Sequence, residues 1–259
     1  MQRALAPRLL LGLGIAFLAL PLLGLLTRVP WSQLTEQFAA AALHRALGLS
    51  LLCSLASAVI AGLLGLPIAH WLAGGRSRSR TVVRVLVILP MVLPPVVAGL
   101  ALLLAFGREG LIGAALATLL GIEVVFTPIA VVLAGSYIAL PFFVLAVESG
   151  LRAVDARYLE AAATLGAGPE RRFREVTLPL MAPALRAGLL LAWARALGEF
   201  GATITFAGNV EGATRTLPLA VYTALETSPD AAIALSLILV LVSVTVLFLL
   251  RHRWFPGQT

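Results

Sequence analysis

The sequence predicts an all-α membrane protein, a polytopic bundle of six transmembrane helices forming a single domain over residues 1–259. Three observations predict it. The chain is 60% hydrophobic and only 12% charged, with a mean hydropathy of +1.01, whereas a soluble domain of this size needs more charged surface. Apolar runs near the roughly 20 residues that a spanning helix requires occur six times. Arginines gather between these runs, on alternate sides, as topology signals do.

The runs lie near 9–27, 47–73, 82–106, 124–148, 182–206 and 231–250. The first lacks a small-residue cleavage site and reads as a span rather than a signal peptide. The third carries Pro90, Pro94, Pro95 and Gly99. Each proline removes a backbone donor and favours a kink, and membranes tolerate such breaks where protein or a water cavity satisfies the freed groups. Pro94 and Pro95 are therefore candidates for lining an aqueous path, with a purely structural kink as the other reading; both can hold. Two shorter stretches, Leu111–Ile122 and Leu217–Leu225, are too short to cross and read as interfacial or re-entrant.

The fifth run holds Arg195 and Glu199, four residues apart, a spacing that pairs charges on one helix face. Ionisable groups at membrane depth are functional candidates. Three readings stand: a neutral pair that locks helix packing, lining or gating of a path, and direct coordination of an anion by Arg195. Thr203, Thr205 and Asn209 follow, with polar groups for a solute or for holding helices together.

With the N-terminus inside, 14 arginines lie on the cytoplasmic side and 4 outside, with Arg195 within a span. That asymmetry places both termini in the cytoplasm and requires an even number of spans. All 19 basic residues are Arg. A P-loop needs a lysine, so no nucleotide site of that type is present. The net charge of +7 follows the loops rather than one amphipathic face, which argues against nucleic acid. Cys53, the single cysteine, excludes an intrachain disulfide and a CxxC site and reads as a packed hydrophobe. His44, His70 and His252 have no metal-site spacing, and His70 with Trp71 reads as an interfacial anchor. No catalytic residue, metal or cofactor is expected. No 20–50-residue or inverted repeat is visible, which weighs against a gradient-driven secondary transporter.

The segment 149–181 is the most informative. Asp155 suits an N-cap, and 156–165 are mostly strong helix formers. Gly166 and Gly168 can end that helix, Pro169 and Glu170 suit the start of a second, and Pro179 is expected to stop it. Glu160-Ala161-Ala162, Gly166, then Val176, Leu178 and Pro179 resemble the EAA loop of binding-protein-dependent ABC importer permeases, departing only where valine replaces the usual isoleucine at Val176. The resemblance implies a permease fold whose helix pair docks on a separate ATPase subunit.

The stretches Ala194–Glu226 (ARALGEFGATITFAGNVEGATRTLPLAVYTALE) and Leu89–Gly113 (LPMVLPPVVAGLALLLAFGREGLIG) closely resemble the molybdate permeases of that family. Sulfate and thiosulfate permeases share the ALGEFG-like piece; the continuation tilts the reading to molybdate and does not separate tungstate. The resemblance implies a homodimer of permeases in the bacterial inner membrane, two ABC ATPase subunits, and a periplasmic or lipid-tethered oxyanion-binding protein. The path would then open to alternate sides as the ATPases close and reopen.

Overall fold

The computed structural model describes residues 5–32, 34–75 and 77–250. Arg3, Arg76, Arg251, His252 and Arg253, which enter the readings above, lie outside them. All regular structure among the described residues is helical: α1 (Leu5–Thr27), α2 (Leu34–Ala39), α3 (Ala41–Ala73), α4 (Arg78–Val92), α5 (Pro95–Phe106), α6 (Gly113–Leu120), α7 (Pro128–Ala153), α8 (Ala156–Thr164), α9 (Pro169–Arg172), a π-turn (Phe173–Thr177), α10 (Leu178–Leu180), α11 (Ala182–Leu197), α12 (Gly201–Phe206), α13 (Leu217–Thr227) and α14 (Pro229–Leu250). α1, α3, α7 and α14 are each long and apolar enough to cross a membrane. Two bent helix pairs raise the number to as many as six.

The centre is a trio of α3, α7 and α11, whose contacting faces are built from small residues. Ala61, Ala69, Ala134, Ala139 and Ala192 are buried there. Lipid offers no hydrophobic drive between helices, so close backbone approach and dispersion hold them. Phe143 of α7, 1% exposed, fills a notch floored by glycines. A Cβ at Gly65 would fall 2.5 Å from its ring, and one at Gly188 would fall 3.2 Å away. Around this trio, α5 packs on α12, and α13 packs on α14 and α3. α13 has 11 residues, or about 16 Å at 1.5 Å per residue; it ends short of a crossing, with Leu217 and Leu219 fully buried. α1 touches the bundle at α14, and none of the residues of its apolar window is buried.

Three expectations are corrected. The third run bends far more sharply than a proline kink: α4 and α5 meet at 117°. Leu93 and Pro94 both adopt extended backbone, with ψ 137° and 136°, because a residue before proline is pushed out of the helical region and here two prolines follow in succession. The fifth run also breaks: α11 stops at Leu197 and α12 restarts at Gly201. Finally, Pro179 does not stop its helix. The chain widens into the π-turn just before it, with the Leu178 N–H bonding back to the Phe173 carbonyl. That wider register accommodates a residue with no N–H to give. The 68° bend falls at Met181 instead.

Candidate functional site

The hairpin 155–180 projects from one end of the bundle. The Asp155 carboxylate accepts from the Arg157 backbone N–H (2.9 Å) and side chain, starting α8. The Arg157 side-chain bond, and then its backbone N–H, hold the Asp155 carboxyl below its usual value of 3.8. α8 ends in a Schellman turn: the Gly166 N–H bonds to the Ala163 carbonyl and the Ala167 N–H to that of Ala162, both at 2.9 Å. Gly166 has φ +82°, a conformation that side chains with a Cβ resist. Glu160 and Ala161 are exposed and Ala162 is half-buried, and at the tip Leu165 is 86% exposed.

The second limb faces inward. Val176 and Leu178 are half-buried, Thr177 is buried and Pro179 is exposed. Arg171 pairs with Glu175 and Arg174 with Glu170 on the limb itself, so these arginines are already neutralised locally. The Phe173 ring meets the His70 imidazole edge-on at 5.0 Å, tying the π-turn to the last turn of α3. Half of the motif is thus presented and the other half anchored.

The break between α4 and α5 meets the break between α11 and α12. A Cβ on Gly201 would fall 2.5 Å from Pro95, and one on Gly99 would fall 2.8 Å from the Ala202 carbonyl oxygen. Pro94 and Pro95 are exposed on the other side. Arg195 closes on Glu199 at 2.7 Å, as the spacing suggested, but the two do not share one helix. Glu199, with only 3% of its side chain exposed, sits in the gap. Its second oxygen accepts from the Ala202 N–H at 2.9 Å and so serves the start of α12. One carboxylate therefore balances the guanidinium and restarts the chain.

Behind Glu199 lies a cavity of about 10 Å³ lined by Ser50, Ser54, Ser57, Thr203 and Thr216, among others, close to the room that one water needs. The Thr216 hydroxyl is buried there without a partner among the described residues. Ser54 accepts from the Trp193 indole (2.9 Å) and Ser50 from the Leu217 N–H (2.6 Å). Thr203 belongs to this polar seam. Asn209 does not: it donates to Thr223 and accepts from Arg215, both at 2.9 Å, pinning the α12–α13 loop.

The sequence reading missed two features. Ser50, Ser54 and Ser57 recur at four and three residues, a one-face spacing visible in the sequence. Glu148, 3% exposed, takes Arg84 and Arg152 on the same oxygen; its i,i+4 relation to Arg152 was legible, its pairing with Arg84 was not.

A bundle with two broken spans, a buried charge pair at one break and an exposed helical hairpin defines a polytopic membrane permease. Residues 61–255 match the family described as "Binding-protein-dependent transport system inner membrane component", and the chain belongs to that family. It is 48% identical over 234 residues to the molybdenum transport system permease protein ModB of Mycobacterium tuberculosis, covering 90% of this chain and 88% of that one. It is 44% identical to the protein of that name from Escherichia coli, covering 64% of this chain and 72% of that one. It is 36% identical to the probable transport system permease protein NifC of Clostridium pasteurianum, covering 78% and 71%. A crystallised bacterial alginate ABC transporter contains a chain of the same fold, with TM-score 0.76, 17% identity and coverage of 96% and 93%.

Proposed function

We propose that this chain is the membrane subunit of an ATP-driven importer of molybdate, with tungstate, nearly the same in size and charge, as a second cargo. The observation that carries the reading is the hairpin: a capped helix whose Glu160, Ala161 and Leu165 stand exposed in a chain otherwise made for lipid. In this reading residues 149–181 form the coupling loop of one membrane domain, and the hairpin end faces the cytoplasm, as the arginine asymmetry favours. α8 inserts into a cleft of an ATPase subunit. Two such subunits act on two copies of this permease, and a periplasmic or lipid-tethered protein delivers the oxyanion to the opposite end.

Movement of the ATPase pair carries α8, and the second limb passes it to α3 through Phe173 and His70. Arg195 and Glu199, at the junction of the broken spans with Pro94 and Pro95, form a neutral hinge rather than a high-affinity anion site, because Glu199 already occupies the guanidinium. Selection then resides in the delivery protein, and the permease needs only a coupling between two states of the path.

The test is uptake into proteoliposomes holding this chain, the ATPase and the delivery protein. ATP-dependent molybdate uptake that ceases with a hydrolysis-dead ATPase is expected. Uptake driven by an ion gradient without ATP overturns the reading in favour of a secondary transporter.

A further inference from the structure

At the hairpin end, the start of α4 and the end of α7 enclose a basin of about 670 Å³ lined by Gly75, Ser77, Arg80, Thr81, Arg84 and Arg152. Three guanidinium groups face it. Arg84 and Arg152 share the buried Glu148 carboxylate, so the cluster keeps two uncompensated positive charges. Arg80 is held in place twice over, by a 2.9 Å bond to the Gly74 carbonyl and by its guanidinium lying 5.4 Å from the Trp71 ring centroid. Its Nε is nonetheless buried with no hydrogen-bond partner among the described residues. The exposed part of a planar guanidinium matches the oxygens of a phosphate group.

What surrounds the basin selects the source of that phosphate. One turn along α4, Val82, Val85, Leu86 and Leu89 are exposed, and of this helix only Val87 and Pro90 are buried. Trp71 is exposed beside Arg80, as aromatic residues are at a membrane interface. The basin therefore lies where an apolar, lipid-facing surface gives way to positive charge, the arrangement that suits an anionic headgroup with its acyl chains along the helix.

We propose that Arg80, Arg84 and Arg152 form a binding site for the phosphate of an anionic phospholipid in the leaflet at the hairpin end. The site rests on the reading of α4 as membrane-embedded and of that end as cytoplasmic. Ser77 and Thr81 offer hydroxyls to the same oxygens.

The test uses the purified full chain in detergent, with native mass spectrometry counting retained lipid after mixing with phosphatidylglycerol and phosphatidylcholine. Phosphatidylglycerol is expected to be retained with about tenfold preference, and Arg80→Gln to remove most of it. Arg80 lies outside the Glu148 pair, so this change does not strand the buried carboxylate. Should that variant fail to fold, Arg80→Lys keeps the charge, loses the planar guanidinium fork, and is expected to lower the preference about threefold. Equal retention of the two lipids by the wild type, or unchanged preference in a folded variant, overturns the site. So does displacement of phosphatidylglycerol by millimolar inorganic phosphate or molybdate alone, which assigns the basin to a free oxyanion. Transport is not measured, so a failed lipid site leaves the importer reading standing, and a failed importer reading leaves lipid retention interpretable.

Discussion

The ring of Phe173 stands edge-on to the imidazole of His70, 5.0 Å between centroids, and joins the hairpin's anchored limb to the longest helix of the bundle. An aromatic contact of this kind is worth about 1 kcal/mol beyond its area. Phe173→Ala is therefore expected to leave ATP hydrolysis in the assembled complex within about twofold while lowering molybdate moved per ATP roughly fivefold. The check is simultaneous measurement of uptake and phosphate release in proteoliposomes. An unchanged ratio would remove this contact from the transmission route.

Gly166 has open space around it: a Cβ there meets nothing within 4 Å. Any loss in Gly166→Ala must then come from φ +82° rather than from a clash. The cost of about 1–2 kcal/mol is expected to fray the Schellman turn and weaken ATPase binding about tenfold, without changing insertion. Hydrogen exchange at Gly166 and Ala167, together with titration of the ATPase subunit, reads both effects; wild-type protection in the variant contradicts the prediction.

Breaking the Arg195–Glu199 pair from one side leaves a carboxylate buried alone. Arg195→Met is expected to cost about 3 kcal/mol. Arg195→Met combined with Glu199→Gln is expected to recover most of it, since glutamine keeps an acceptor for the Ala202 N–H. Thermal unfolding in detergent ranks the three proteins. A double variant less stable than the single would mean that the pair contributes something other than mutual neutralisation.

The Asp155 cap has a defined acid limit. Its carboxyl is held below 3.8 in the folded hairpin, so the unfolded segment binds the proton more strongly than the folded one. The cap's contribution is fully present above about pH 4 and is lost as pH falls through the lowered folded value. Between pH 5 and 8 the amides of 156–158 should show constant protection, decreasing only below pH 4, with Asp155→Asn abolishing that dependence. Carboxyl chemical shifts of Asp155 followed through the titration supply the check; a midpoint above 4 contradicts it.

Length and hydropathy sufficed for α3, α7 and α14, because a span's apolar content is a local property. The breaks were less legible. The apolar run 82–106 reads the same whether it bends by 20° or 117°; the angle depends on α5 seating against α12 through Gly99 and Gly201, which lie a hundred residues apart. The Arg195–Glu199 pairing was visible as a spacing, yet the end of α11 between the two residues was not, since nothing in ALGEFG forbids helix. Pro179 misled for a related reason: a wider turn upstream absorbs the missing donor. The serine spacing on α3 was legible, but that it faces Glu199, and that Arg84 reaches Glu148, became visible only with the packing of the helices.

The glycine-floored notch under Phe143 has a mechanical consequence. A ring seated in α3 and α11 at once blocks those helices from sliding along α7, because any shear would drive it into backbone. The middle of the bundle is then one stiff block, flanked by the non-helical stretches at 93–94 and 198–200. The conformational cycle proposed above would then rock blocks about these two adjacent joints, with its amplitude limited by those five residues.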